Sequence, residues 1–296
     1  MTEAIECRGL TKDYGANHGV FALDLVVHRG EAFGFVGPNG AGKTTTLRLL
    51  MDLVRPDAGR ATVLGLDAHR DGLAVKRKVG YLPGELAQFP GMTAGGVLGL
   101  LAGLRGGVEL GHVEALAQRL QLDLGQKYER LSHGNKQKVH LIQAFMHEPE
   151  LIILDEPTLG LDPLMQREFR ALVKEAVGRG ATVLLSSHVL SEVELICDRI
   201  GFIREGRLWR VGSLEELRTV RAHRVEALVE GAADVTALER VPGVSEASVS
   251  GKRVSCTLRG PVAPLLTWLS SVGVVELDSR ELSLEEVFLS EFAPKA

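Results

Sequence analysis

Apolar and polar residues alternate over residues 4–8 and again over 20–28, where Phe21, Leu23, Leu25 and Val27 share one face. This period of two predicts two antiparallel strands around the turn Gly15-Ala16-Asn17. The apolar positions Phe33, Phe35 and Val36 predict a buried strand, and the leucines at 47, 49 and 50 predict a helix close behind it. Asp57-Ala58-Gly59 reads as a turn, Ala61 to Leu64 as a short strand, Gly65-Leu66-Asp67 as a second turn, and 71–79 as a short polar helix. A strand from Val79 ends at Pro83, because proline cannot donate to a ladder. Residues 93–104, 109–122 and 134–147 read as helices; Leu110, Val113, Leu116, Ala117 and Leu120 fall on one helical face. This block, about 85–147, interrupts an αβ alternation that returns at Leu151-Ile152-Ile153-Leu154. That continuous apolar run suits a central parallel strand. A helix over 163–177 with proline in its first turn follows. Then come a strand at 182–186, a helix at 189–197, a strand at 199–203, and a hairpin at Glu205-Gly206 leading to 208–211.

The pattern changes after about 213. Helix 213–219 leads into strand 225–229, helix 235–240, strands 244–249 and 253–258, helix 262–271, strand 273–277 and a last helix from Leu284 to about Phe292. This βαββαβ order predicts a small ferredoxin-like α+β domain over 219–296, separate from a larger α/β domain over 1–218. The small domain carries no chemistry-bearing motif; regulation, dimerisation and a stabilising appendage all remain open for it.

The 296 residues are 45% hydrophobic and 24% charged, which suits one large or two unequal globular domains. A formal net charge of -4 provides no basic field for nucleic acid. Cys7, Cys197 and Cys256 lack metal-ligand spacing and read as reduced thiols. The N-terminus has no basic n-region or long apolar h-region, so no signal peptide is expected. The longest uncharged run, Leu86 to Leu104, holds Pro90 and five glycines, and reads as a loop plus a short packed helix rather than a membrane span.

Between the strand at 33–36 and its helix lies GPNGAGKTT, which fits G-x-x-x-x-G-K-[ST] with Gly37, Gly42, Lys43 and Thr44 in the fixed places. Strand, glycine-rich turn and helix come in the order a phosphate cradle requires. The turn's N–H groups converge inward, the helix N-terminus adds partial positive charge, Lys43 reaches terminal phosphates, and the Thr44 hydroxyl suits Mg²⁺. A second feature is Asp155-Glu156 at the end of an apolar strand, where parallel α/β sheets bind ligands. The first carboxylate is placed to hold Mg²⁺ and the second to take a proton from an attacking water. His188 ends another strand and can hydrogen-bond a γ-phosphate oxygen or serve as a cap. Ser132 and Gly134 open a helix and form a second potential anion site. Tyr14, just after a strand edge, can stack on a base or serve as a packing aromatic.

Residues 1 to about 212 resemble the ATP-binding subunit of an ABC transporter. GPNGAGKTT at 37–45, LSHGNKQ at 131–137, LIILDEP at 151–157, LGLD at 159–162 and SSH at 186–188 stand in order and at family-like spacing. The resemblance implies a P-loop NTPase core with an antiparallel β subdomain and an inserted helical subdomain. It implies Tyr14 as the adenine-stacking aromatic, and Gly37, Pro38, Asn39, Gly40, Ala41, Gly42, Lys43, Thr44 and Thr45 as the phosphate loop. It further implies Asp155 as the metal carboxylate, Glu156 as catalytic base and His188 as γ-phosphate switch. Ser132 and Gly134 would contact the ATP of an opposite subunit, with Asp162 at the dimer seam. The implied partners are ATP, Mg²⁺, a second ATP-binding subunit, identical or different, and an integral membrane permease that would hold the chain at the cytoplasmic face. The NKQK segment and the ending LSLEEVFL at 282–289 lean toward drug, antibiotic and lipid exporters.

Two departures stand out. His133 and Asn135 replace a glycine and a glutamine of the usual LSGGQ, and Gly84 stands where the family carries a glutamine after Tyr-x-Pro. Glu85 next to it can reach Mg²⁺ through a water, or stand as a solvated loop charge. Two other functional classes compete. Chromosome-maintenance relatives require long heptad segments, and ribosome-acting ones two nucleotide halves; this chain has neither. A GTPase requires N-K-x-D and leaves 131–137 without a use.

Overall fold

The computed structural model describes residues 2–218 and 222–282. The chain divides into two units, Met1–Leu214 and Glu215–Ala296. In the first, β1 (Glu3–Asp13) pairs antiparallel with β2 (Gly19–His28), and their alternation buries Ile5, Cys7, Leu23, Leu25 and Val27. Strand β1 runs well past its alternating start. Register shifts between Cys7 and Leu10 and again between Leu10 and Lys12 break the period of two that marks a strand in sequence.

Next come β3 (Ala32–Val36), buried throughout, and α1 (Lys43–Leu50). Strand β4 (Ala58–Val63) starts earlier than the expected Ala61, because Ala58 pairs with Thr11 across another irregularity of β1. The two-residue β5 (Leu66–Asp67) pairs with it where a turn was expected, completing a sheet in the order β2-β1-β4-β5. Helix α2 (Gly72–Lys78) and β6 (Val79–Leu82) lead to the helical block of α3 (Ala94–Leu104), α4 (Leu110–Arg119) and α5 (His133–Phe145).

After the block come β7 (Leu151–Asp155), α6 (Pro163–Gly178), β8 (Thr182–Ser187), α7 (Leu190–Glu194), β9 (Arg199–Arg204) and β10 (Arg207–Ser213). Helix α7 is shorter than the expected 189–197. Asp198 donates its N–H to the Ala32 carbonyl, at 2.8 Å, while its carboxylate accepts the Ala32 N–H, at 2.9 Å, which draws the chain into the sheet. The second sheet runs β10-β9-β3-β8-β7-β6, parallel except for the β9–β10 pair. Its central strands β3, β7 and β8 are buried along their whole length, which is why Leu151 to Leu154 of β7 reads as an unbroken apolar run. The register sets Val36 beside Ser187 and Asp155 beside Ser186, so the phosphate-loop motif and the Asp-Glu pair leave adjacent regions of one sheet edge.

Helix α8 (Leu214–Arg218) precedes the second unit's strands. These are β11 (Ala222–Val229), then α9 (Val235–Glu239), β12 (Val244–Ser250), β13 (Arg253–Arg259), α10 (Ala263–Ser271) and β14 (Val274–Glu281). All pairs are antiparallel, in the order β12-β13-β11-β14. Val225, Val229, Leu238, Val254, Leu258, Leu265 and Leu269 form its core. The expected helix at 284–292 lies outside the described residues. Among the described residues no helix is long and apolar enough to cross a membrane. Cys7, Cys197 and Cys256 are free and buried; burial pushes the Cys7 thiol up to about 12.

Candidate functional site

The phosphate-loop motif begins where β3 ends. Gly37 lies so close to β9 that an added β-carbon would sit 2.2 Å from the Ile203 carbonyl oxygen. Gly42 caps α1 at φ +105°, a conformation L side chains rarely adopt. Between them Pro38, Asn39 and Gly40 are exposed and Ala41 is buried. Lys43 is only 5% exposed. Its ammonium folds back across the loop and donates to the carbonyls of Gly37, at 2.6 Å, and Pro38, at 3.2 Å. Thr44 and Thr45 are half-buried in the first turn of α1, and their hydroxyls have no hydrogen-bond partner among the described residues.

The carboxylates meet this loop from β7. Glu156 Oε1 lies 3.3 Å from Lys43 Nζ, and Glu156 Oε2 lies 2.9 Å from His188 Nδ1. The three side chains form one line, cation, carboxylate, imidazole, assembled from the first residue of α1 and the residues that follow β7 and β8. Asp155 Oδ1 accepts the Ser186 hydroxyl at 2.6 Å, whereas Oδ2 is buried without a hydrogen-bond partner. Ser186 Oγ in turn accepts the Glu156 N–H at 3.1 Å. Burial, with the Asp155 charge adding to it, pushes the nearby Tyr81 phenol up to about 12, so that it stays protonated.

The other expected positions lie around this line. Ser132 caps α5 by accepting the Asn135 N–H at 3.3 Å, and Asp162 caps α6 by accepting the Met165 N–H at 3.0 Å. Gly134 packs against its own chain: an added β-carbon would lie 2.4 Å from the Gly160 carbonyl oxygen. The openings of α5 and α6 are thereby brought together. Tyr14 is 54% exposed, with the Lys12 ammonium 5.7 Å from its ring centroid, and it makes no contact with the Lys43–Glu156–His188 line. Gly84 abuts the metal carboxylate candidate, since an added β-carbon would lie 2.7 Å from Asp155 Oδ2. Glu85 does not join Asp155; it is exposed and ion-paired with Arg48 at 3.5 Å.

Sequence reasoning assigned nothing to Ser186 or Gln137, although both lie in quoted motifs. Ser186 ties the two halves of the Asp-Glu pair together. Gln137, buried on α5, donates to the carbonyls of Glu156 and Pro157. The available signal was positional, a polar residue in an apolar strand or at an inward helix position. Tyr128 was also missed. Its hydroxyl donates to the Ala87 carbonyl at 2.8 Å and meets His140 Nε2 at 2.9 Å, and its ring packs edge-on to Phe89, anchoring the segment after Gly84 to the helical block.

Residues 20–159 match the family model described as ABC transporter. The chain is 35% identical over 222 residues to the linearmycin resistance ATP-binding protein LnrL of Bacillus subtilis (strain 168), covering 72% of this chain and 70% of that one. It is 35% identical over 301 residues to the daunorubicin resistance ATP-binding protein DrrA3 of Streptomyces coeruleorubidus, covering 97% and 95%. A solved structure titled as the ATP binding subunit of an ABC transporter superposes with a TM-score of 0.67 at 32% identity, over 73% of this chain and 92% of that one.

Proposed function

The chain belongs to the ABC transporter family, as an ATP-binding subunit with ATPase activity, and from that premise we propose that two such subunits close around two ATP molecules to drive a separate membrane permease. The cargo is a drug-, antibiotic- or lipid-like molecule moving outward, a reading supported by the resistance proteins the chain is similar to. The permease holds the subunit at the cytoplasmic face of the membrane.

The observation that carries the catalytic reading is the line Lys43–Glu156–His188 beside a partnerless buried oxygen of Asp155. The N–H groups of 37–45 cradle the phosphates and Tyr14 stacks on the base. Lys43 exchanges its loop carbonyls for phosphate oxygens. Asp155 Oδ2 and the Thr44 hydroxyl are oxygen donors without protein partners, which fits a hard cation, so Thr44 and Asp155 would hold Mg²⁺. Bound there, Mg²⁺ supplies charge neutralisation of the phosphates. Glu156 accepts the proton of the attacking water at its carboxylate. His188 fixes that carboxylate through Nδ1–H, and as the imidazolium, with both ring nitrogens protonated, it also offers Nε2–H to a phosphate oxygen. Ser132, Gly134 and Asp162 of one subunit face the nucleotide of the other, a reading supported by the way α5 and α6 begin side by side. Glu85, paired with Arg48, serves as a loop charge.

The test is Glu156→Gln. Hydrolysis falls by roughly 10²–10⁴-fold, the range of a general base, while ATP binding persists. Size measurement with Mg-ATP then finds a stable dimer. A fully active, ATP-independent monomer overturns the proposal.

A further inference from the structure

Gln137 is 3% exposed and stands one turn into α5, three residues past Gly134. Its amide nitrogen donates to two successive carbonyls, Glu156 at 3.2 Å and Pro157 at 3.1 Å. Those carbonyls belong to a strained stretch. Glu156 has φ +49°, a left-handed conformation costly for a residue with a β-carbon. Such a conformation persists only where its surroundings over-determine it. Here the surroundings are identifiable. The Glu156 N–H is held by Ser186 Oγ at 3.1 Å, and its carbonyl by Gln137 together with the Leu159 N–H of its own turn, at 3.2 Å. With both ends of the residue held, the Cα–Cβ direction is set, and the carboxylate reaches Lys43 on one oxygen and His188 on the other. The Ser186 anchor lies on β8 inside the sheet, whereas the Gln137 anchor lies on α5, the helix that opens with Ser132 and Gly134.

We propose that Gln137 is a positioning residue for Glu156, coupling the seat of α5 to the direction of the carboxylate that activates water. The inference rests on the role proposed above for Glu156. It gives the contact between Ser132, Gly134 and a neighbouring subunit a route to the reaction centre. Moving α5 moves the donor, the donor moves two carbonyls, and rotation about the strained residue swings its side chain. A displacement of about 1 Å at a reacting group can change a rate on the order of a hundredfold.

The experiment uses full-length chain and single-turnover hydrolysis of Mg-ATP, comparing parent, Gln137→Met, Glu156→Gln and the double variant. Methionine keeps the length of glutamine and removes both N–H donors. Gln137→Met is expected to lower the catalytic rate constant about ten- to a hundredfold, with ATP affinity within about twofold of the parent. In the Glu156→Gln background the same substitution is expected to change the rate by less than about twofold, because its route passes through Glu156. Parental rate in Gln137→Met, or an equal fractional loss in both backgrounds, overturns the inference.

Gln137→Glu provides a second reading if the methionine variant folds poorly. Only the protonated acid has a hydrogen to give to a carbonyl, so its rate relative to the parent is expected to rise from about pH 8 to about pH 6. A flat ratio counts against the inference. If Glu156→Gln itself keeps parental hydrolysis, the catalytic reading fails and this one with it; if Glu156→Gln is inactive and Gln137→Met is parental, only the positioning role fails.

Discussion

Lys43, at the start of α1, and Glu156, just past β7, form an ion pair with Nζ 3.3 Å from Oε1, and Lys43 spends its hydrogen bonds on the Gly37 and Pro38 carbonyls. Two donors of the ammonium are thereby engaged by loop carbonyls, and its charge is paired with Glu156. An incoming phosphate must displace these partners, and Glu156 competes with it for the same cation. Glu156→Gln is therefore expected to bind ATP at least as tightly as the parent, alongside its loss of hydrolysis. Equilibrium titration with ATP is the check; a marked loss of affinity would contradict the competition.

Ser132 is exposed and caps α5 through the Asn135 N–H. Ser132→Arg is expected to abolish the ATP-dependent dimer while leaving ATP affinity of the monomer within about twofold. Loss of the cap also costs about 1 kcal/mol of stability. Ser132→Asp keeps a capping oxygen, so its melting temperature separates the cap from the interface effect. A dimer that survives Ser132→Arg rules out this seam.

Gly84 and Glu85 are adjacent, yet their substitutions are expected to differ. Gly84→Ala places a β-carbon against Asp155 Oδ2 and should lower ATPase activity and raise the Mg²⁺ requirement, since the carboxylate has to shift. Glu85→Ala and Glu85→Gln remove only an exposed pair with Arg48 and should match the parent. Mg²⁺ titrations of ATPase activity decide this. A raised requirement in Glu85→Ala, relieved in Glu85→Gln, would return Glu85 to the metal site.

His140 and His147 are both pushed down to about 4, chiefly by burial, with the Arg105 charge adding at His147. Unfolded histidine titrates near 6.5, so between these values the unfolded chain binds more protons than the folded one. Their contribution to stability is full above about pH 6.5 and is lost as pH falls through 4. For His140 alone the loss at pH 4 is on the order of 3 kcal/mol. Melting curves across this range should show the decline, and His140→Gln should flatten it. An unchanged slope would remove His140 from the account.

One core cluster runs from Ala4 to Ile203 and another from Val225 to Leu269. We propose that these are separate folding domains. A chain ending at 218 is expected to be soluble and to bind ATP with parental affinity. Insolubility or lost binding would mean that the two parts share one core.

The readable part of the molecule is the part written in contiguous residues. The phosphate loop between β3 and α1 shows in sequence because its spacing is local, and Asp155-Glu156 shows because an apolar run ends in two charges. What stayed hidden comes from register. Pairing β7 with β8 puts Ser186 against Asp155, and the seat of α5 puts Gln137 under the Glu156 and Pro157 carbonyls. Neither partner lies within a turn of the other in sequence, and the positive φ of Glu156 has no compositional mark. The irregularities of β1 escaped for the opposite reason, since a bulge erases the alternation that announces a strand.

Among the described residues, strand β3 is bonded to β8 and β9, with Phe33 beside Leu184 and Arg199. The ribosome therefore completes the phosphate-loop motif long before it makes either strand that holds it. Through most of synthesis Phe33 and Phe35, both wholly buried in the finished molecule, have early-made core neighbours such as Leu23 and Leu47 but no flanking strand, so the backbone that leads into the phosphate loop stays unpaired. Ribosome-held fragments ending before Arg199 should be cut by protease around 33–45, and fragments extending well past Ser213 should resist.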